Sequence, residues 1–158
     1  MLYLVHHGDA VGPHLNPMRP LSGRGRAQVE ALAREAGSRG AKPDAIWHSG
    51  KLRARQTAEA YWRCCNPLAS FSAMRGLQPT DPTGWILDAI AGETRSIMLA
   101  GHFPHLPRLL ARLISGDPEA AASDFPLNGI VVVEMAGEGW VERWRLKPAA
   151  QVGDSTLG

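Results

Sequence analysis

Cysteine is almost missing from this chain: there are 2 in 158 residues, Cys64 and Cys65, and they are adjacent. Neighbouring cysteines rarely reach disulfide geometry, so no disulfide framework is expected, only two semi-buried thiols near a helix end. Long apolar runs are lacking as well. None approaches the ~20 residues that a membrane-crossing helix needs, and the first residues lack the basic region and apolar core of a secretory leader. A cytoplasmic protein with no membrane partner is the expectation. Net charge is also small, with 17 Lys and Arg against 15 Asp and Glu, a formal +2. A general nucleic-acid binder shows a long basic stripe. Here the basic residues gather in two short clusters, Arg19, Arg24, Arg26 and Lys51, Arg53, Arg55, each beside a turn. That pattern suits a localised anion site and argues against nucleic acid as a partner.

What is present is an ordinary globular composition, 44% hydrophobic and 20% charged. A chain of this size buries roughly 70% of its unfolded surface in one domain. The domain is placed at residues 1–147, with residues 148–158 a small, polar, flexible tail. There are no internal repeats. Leu2 to Val5 reads as a buried strand. Ser22 can cap a helix running to Ser38, with Val29, Leu32, Ala33 and Ala36 on one face. Asp44 to His48 is a second strand, followed by a helix from Lys51 to Trp62, and Leu68 to Met74 a third strand. A helix spans Pro82 to Ala91, with the proline in its first turn. A strand at Ser96 to Ala100 leads into a helix over Leu106 to Ile114. Ile130 to Met135 and Trp140 to Leu146 form an antiparallel hairpin. The alternation predicts an α/β fold, a mostly parallel sheet with helices on both faces.

In such sheets, sites form beyond the carboxyl ends of the strands. Three predicted strands end in reactive residues: His6-His7-Gly8, His48-Ser49-Gly50 and Gly101-His102. His7 is the candidate nucleophile, because a neutral imidazole attacks phosphorus when one ring nitrogen is held as N–H and the other is free. A carbonyl in the following turn can fix that tautomer. Arg53, near the start of a helix, is the candidate phosphate clamp, its fork matching phosphate oxygens beside the helix N-terminus. His102 can donate to a phosphoryl oxygen. His105 is expected to shape a helix start, His48 to be a buried strand residue and Arg55 a solvated surface charge.

Four segments together resemble the histidine phosphatase superfamily, and within it the small SixA-type phosphohistidine phosphatases. They are Leu2-Tyr3-Leu4-Val5-His6-His7-Gly8-Asp9-Ala10, Arg19-Pro20-Leu21-Ser22-Gly23-Arg24-Gly25, Ser49-Gly50-Lys51-Leu52-Arg53-Ala54-Arg55-Gln56-Thr57 and Gly101-His102-Phe103-Pro104-His105-Leu106. The resemblance implies a phosphoglycerate mutase-like three-layer α/β/α sandwich. It implies hydrolysis of a phosphorylated protein or small phosphorylated substrate, with neither metal nor organic cofactor. By the same resemblance His7 carries the phosphoryl group, while Arg53 and His102 form the phosphate pocket. His6, Gly8 and Arg19 are further phosphate contacts, and Asp9 and Asp81 are the candidate general acids.

The chain departs from the family at His6, which stands where the family has its first arginine, and at Gly50, which replaces a proline. Imidazole offers fewer donors than a guanidinium and has a reference pKa near ~6.5. A bound phosphate would raise that pKa and restore part of the charge. The expectation is therefore a rate limited by His6, with a narrow optimum on the acid side. Two other readings remain open. One is a weak relative that binds phosphorylated ligands without useful turnover. The other is a metallohydrolase built on His6, His7, His102 and His105, disfavoured because adjacent strand residues point to opposite faces.

Overall fold

The computed structural model describes residues 1–150. The strands are β1 (Leu2–His6), β2 (Ala45–His48), β3 (Ser70–Ala73), β4 (Ile97–Gly101), β5 (Ile130–Ala136) and β6 (Gly139–Leu146). The helices are α1 (Gly23–Ser38), α2 (Leu52–Cys65), α3 (Thr83–Ile90) and α4 (His105–Ser115). The strands form one sheet in the order β3-β2-β4-β1-β5-β6. The first four in that order run parallel, and β5 and β6 complete the sheet as an antiparallel hairpin.

Strand alternation divides the core in two. Tyr3 and Val5 of β1, with Met98 and Ala100 of β4, pack against Val29, Leu32 and Ala33 of α1 and Ala58 and Tyr61 of α2. Leu2, Leu4, Ile97 and Leu99 face the other way, onto Ile86 of α3 and Leu106, Leu109, Leu110 and Leu113 of α4. All of β1 and β4 is buried, as expected of parallel strands covered on both faces. The result is the three-layer α/β/α sandwich. Each buried leucine of α4 contributes on the order of 1.5–3 kcal/mol, which fixes the helix that follows His102.

Local chemistry sets the helix starts and ends. The Ser22 hydroxyl accepts the Gly25 N–H (3.0 Å) and donates to an Asp9 carboxylate oxygen (2.7 Å). One side chain therefore caps α1 and ties it to the loop leaving β1. Gly25 has no side chain for a steric reason, since a Cβ there would run into the backbone of Asp9. Pro82 precedes α3 as its cap, so that helix starts one residue later than expected. The strand expected from Leu68 begins only at Ser70. The Asn66 side chain takes the Leu68 N–H into a turn (3.1 Å) and leaves Leu68 exposed. The expected tail falls mostly on residues 151–158, outside the described residues; Pro148 and Ala149 line a surface cavity with Gln28 of α1. Among the described residues no helix is long and apolar enough to cross a membrane.

The topology decides where chemistry can occur. β4 lies between β2 and β1, with His6 paired to Gly101 and His48 paired to Ala100. The three reactive strand ends therefore share one edge of the sheet.

Candidate active site

β1 ends at His6, and the chain turns at once. The His7 N–H reaches back to the Gly101 carbonyl (3.2 Å), and the Gly8 N–H donates to Thr57 Oγ1 on α2 (3.0 Å). That turn brings the His7 Nδ1 within 2.7 Å of the Gly8 carbonyl oxygen. A carbonyl only accepts, so Nδ1 carries the proton and Nε2 keeps its lone pair. The carbonyl expected in the following turn is therefore present, and Thr57 holds the glycine that supplies it. Thr57 lies in a motif read from the sequence, but its hydroxyl had been given no role.

Beside His7 stands His102, their ring centroids 5.0 Å apart. Its Nε2 is 2.6 Å from Ser49 Oγ, and that oxygen also accepts the Lys51 N–H (3.3 Å). The serine proton can then go to the imidazole Nε2, the arrangement in which the His102 proton sits on Nδ1. Gln78 secures the same turn by donating its amide to the Ser49 carbonyl (2.6 Å). Arg53, in the first turn of α2, is close enough for its charge to lower the pKa of His6, His7 and His102 alike. Two buried atoms of this cluster, Arg53 Nε and His102 Nδ1, meet no protein partner. Buried polar atoms are nearly always paired. Both are donors that an anion would satisfy.

The remaining candidates sort differently. Arg19 has its backbone in the left-handed region (φ 49) and its Nε on the Val11 carbonyl (3.0 Å). Its charge also lowers the pKa of His7 and Arg53, so it borders the same pocket. Gly8 cannot offer its N–H to phosphate, because Thr57 takes it. Its role is close packing, since a Cβ there would press on Val29 of α1 and on Leu21 just before that helix. The Asp9 carboxylate lies near His7 but accepts the Ser22 hydroxyl. Asp81 is elsewhere. Its carboxylate accepts the Gln78 N–H (3.0 Å), and it lines a cavity of about 490 Å³ with Thr83, Arg108 and Arg112. Its charge acts on His105. Arg55 pairs with Glu59 on the surface (3.0 Å), and His48 is buried in β2.

His6 departs furthest from expectation. Its ring lies 4.4 Å from that of His7, because His7 has already left the strand and the two side chains no longer alternate. His6 also stacks on Phe103 (4.0 Å, 11°), and its Nδ1 accepts the Asn128 N–H (2.7 Å). Burial, then the His7 and Arg53 charges, push its pKa down to about 3. Burial therefore holds the unliganded ring neutral near pH 7, where the reference value alone suggested partial protonation. Among the described residues, no three His, Cys, Asp or Glu side chains are arranged to hold a metal ion.

Residues 2–78 match the sequence model of the histidine phosphatase superfamily, branch 1. The structure superimposes on the protein histidine phosphatase SixA complexed with tungstate, with a TM-score of 0.80 and 24% identity over 93% of this chain and 96% of that one. A SixA protein from Agrobacterium tumefaciens, named as a phosphohistidine phosphatase, gives 0.76 and 28% over 93% and 97%. The matched stretch, just under half of the chain, is similar to the histidine phosphatase superfamily, and the whole fold is the one seen in the SixA structures. A phosphoserine phosphatase from Entamoeba histolytica shares the fold, with a TM-score of 0.68 and 14% identity over 91% of this chain and 95% of that one. Comparison with curated protein sequences gives no match.

Phosphatase is the activity that accompanies these similarities, and the electrostatics of the site suit it. Burial is the largest cause lowering the pKa of His7 to about 4 and of His102 to about 2. Both rings are uncharged at neutral pH, and the fixed positive charge comes from Arg53 and Arg19. The unfolded chain takes up protons on these histidines near ~6.5 while the folded chain does not. Their contribution to stability is therefore complete above that pH and is lost as the pH falls toward 4. Urea midpoints measured from pH 8 to 4 should decline below about pH 6. Inorganic phosphate, by favouring the charged rings in the fold, should flatten that decline.

Proposed function

We propose that this phosphatase removes phosphoryl groups carried on protein histidine, through a phosphohistidine intermediate on its own His7. The observation that carries the reading is the His7 Nδ1–H bond to the Gly8 carbonyl. It leaves Nε2 as a lone pair beside two unpaired buried donors, Arg53 Nε and His102 Nδ1. In the first step the His7 Nε2 forms a bond to phosphorus while the bond to the leaving group breaks. Arg53 and His102 hold the equatorial oxygens as charge develops on them. Water then attacks the phosphoryl group on Nε2, releasing inorganic phosphate and restoring the imidazole.

The leaving group decides the substrate class. An alkoxide leaving from phosphoserine needs a proton from a nearby acid. Both candidate carboxylates already accept a hydrogen bond, Asp9 from the Ser22 hydroxyl and Asp81 from the Gln78 N–H. An imidazole leaves from phosphorus without such help, because protonation of its other nitrogen makes it a neutral leaving group. This supports a phosphohistidine substrate, in line with the printed description of SixA as a protein histidine phosphatase. Free thiols at Cys64 and Cys65 suit action in a reducing cytoplasm, and the short basic clusters suit a phosphoprotein better than nucleic acid.

A peptide phosphorylated on histidine should be hydrolysed at least about tenfold faster, in kcat/KM, than the same peptide phosphorylated on serine. A chelator should leave the rate unchanged. Equal rates on both peptides would remove the substrate assignment, and activity restored by added zinc or manganese would favour a metallohydrolase. The neutral His6 supports one second reading, a protein that binds phosphorylated partners with little turnover. Tight competitive binding of phosphate without product release would establish it.

A further inference from the structure

Asn128 was not among the residues singled out from the sequence, yet it touches both histidines that open the site. It precedes β5 in a turn closed by the Gly129 N–H on the Pro126 carbonyl (3.0 Å). Its backbone is left-handed (φ 58), a conformation that asparagine adopts more readily than most side chains. From there its N–H points at the His6 Nδ1 (2.7 Å), while its side-chain Nδ2 reaches the His7 carbonyl oxygen (2.7 Å). The Gly129 carbonyl accepts the His6 N–H (2.9 Å), so one turn grips the end of β1 at three points.

We propose that Asn128 is a positioning residue of the phosphatase centre: it fixes His6 as the Nε2–H tautomer and holds the backbone of His7 so that the nucleophile's ring stays on the Gly8 carbonyl. A backbone N–H only donates, so the His6 Nδ1 must present its lone pair, and the neutral ring carries its proton on Nε2. Protonating Nδ1 would set two N–H groups against each other. Stacking on Phe103 denies the ring an easy rotation out of this arrangement. His6 therefore offers a phosphoryl oxygen one neutral donor. The amide orientation of Asn128 is fixed by the same logic, since the His7 carbonyl accepts and only the NH₂ end can face it. Holding that carbonyl constrains the peptide between His7 and Gly8, whose far oxygen receives the His7 Nδ1–H.

The consequence for His7 rests on its role as nucleophile; the tautomer of His6 does not, which allows the two to be tested separately. Nitrogen-15 spectra of histidine-labelled wild-type protein, with and without inorganic phosphate, should show the His6 Nδ1 unprotonated and Nε2 protonated from about pH 5 to 8. An Nδ1–H or a doubly protonated ring would overturn the proposal. Asn128→Gly and Asn128→Asp both tolerate the left-handed backbone. The aspartate also keeps the shape of the side chain but sets an acceptor against the His7 carbonyl. Single-turnover phosphorylation of His7 by an aryl phosphate should fall about tenfold in the glycine variant and at least as far in the aspartate variant, with KM changed less than about twofold. A space-filling role predicts wild-type rates for Asn128→Asp, and that result would sink the proposal. Absence of any phosphoenzyme in wild type would instead sink the assignment of His7, with the spectra still deciding the tautomer.

Discussion

Replacing His7 with alanine is expected to abolish the covalent phosphoenzyme and to lower turnover of an aryl phosphate by on the order of 10⁴ or more. The size of the effect follows from the geometry. The Gly8 carbonyl and Thr57 hydroxyl exist in this site to present one lone pair, and no neighbouring imidazole can replace it. The His6 ring accepts at Nδ1 from Asn128 and stacks on Phe103, while the His102 Nε2 is engaged with Ser49. Rapid quenching of wild type should trap an acid-labile, alkali-stable phosphoryl group. In His7→Ala the label should vanish while phosphate binding, dominated by Arg53, survives. Label persisting in the variant would mean that another residue is the nucleophile.

His6→Arg is expected to raise turnover and to lower stability together. A guanidinium adds a fixed charge and further donors where the neutral ring has one. Loss of a single charge-stabilising donor elsewhere costs about 2.7–4 kcal/mol, or ~10²–10³ in rate. Against this, the Asn128 N–H loses its acceptor, a penalty of roughly 1–3 kcal/mol when buried. Stacking on Phe103 survives in part, because a guanidinium also packs on an aromatic face. The net expectation is a gain of about 10–10² in turnover with a fall in Tm of several degrees. The acid limb of wild type is set by His7 near 4, and the added charge beside that ring should move the limb of the variant to lower pH. Stopped-flow rates from pH 4 to 9, beside thermal melts, test both parts. Unchanged turnover would show that Arg19 already supplies the missing charge.

The sheet, its helices and the edge that carries the site were legible because each rests on local pattern. The buried run of β1, the spacing of Val29, Leu32, Ala33 and Ala36, and the Ser22 cap are written within a few residues of one another. His7, Arg53 and His102 were legible for a related reason: each sits where an apolar strand gives way to glycine or to a helix start. What escaped depends on partners far along the chain. Asn128 meets His7 across 121 residues of sequence, and an Asn-Gly pair before a strand reads only as a turn. The Gly8 N–H and one Asp9 oxygen look free in the sequence, and only the fold shows Thr57 and Ser22 taking them. The low pKa of the unliganded His6 is hidden for the same reason, since a reference pKa describes a solvated ring and this one is stacked, buried and bonded.

The position of β1 between β4 and β5 also governs when the centre can exist. As the chain leaves the ribosome, the histidine pair emerges on a strand whose two neighbours in the sheet are made much later. Until residues 97–101 arrive on one side and 128–136 on the other, Leu2, Leu4 and Val5 have no sheet to join and the strand has two open edges. Pairings of such long reach slow folding and leave sticky intermediates. The centre therefore waits for residues 128–136, and a nascent fragment ending before Asn128 would carry the histidine pair without the turn that grips it.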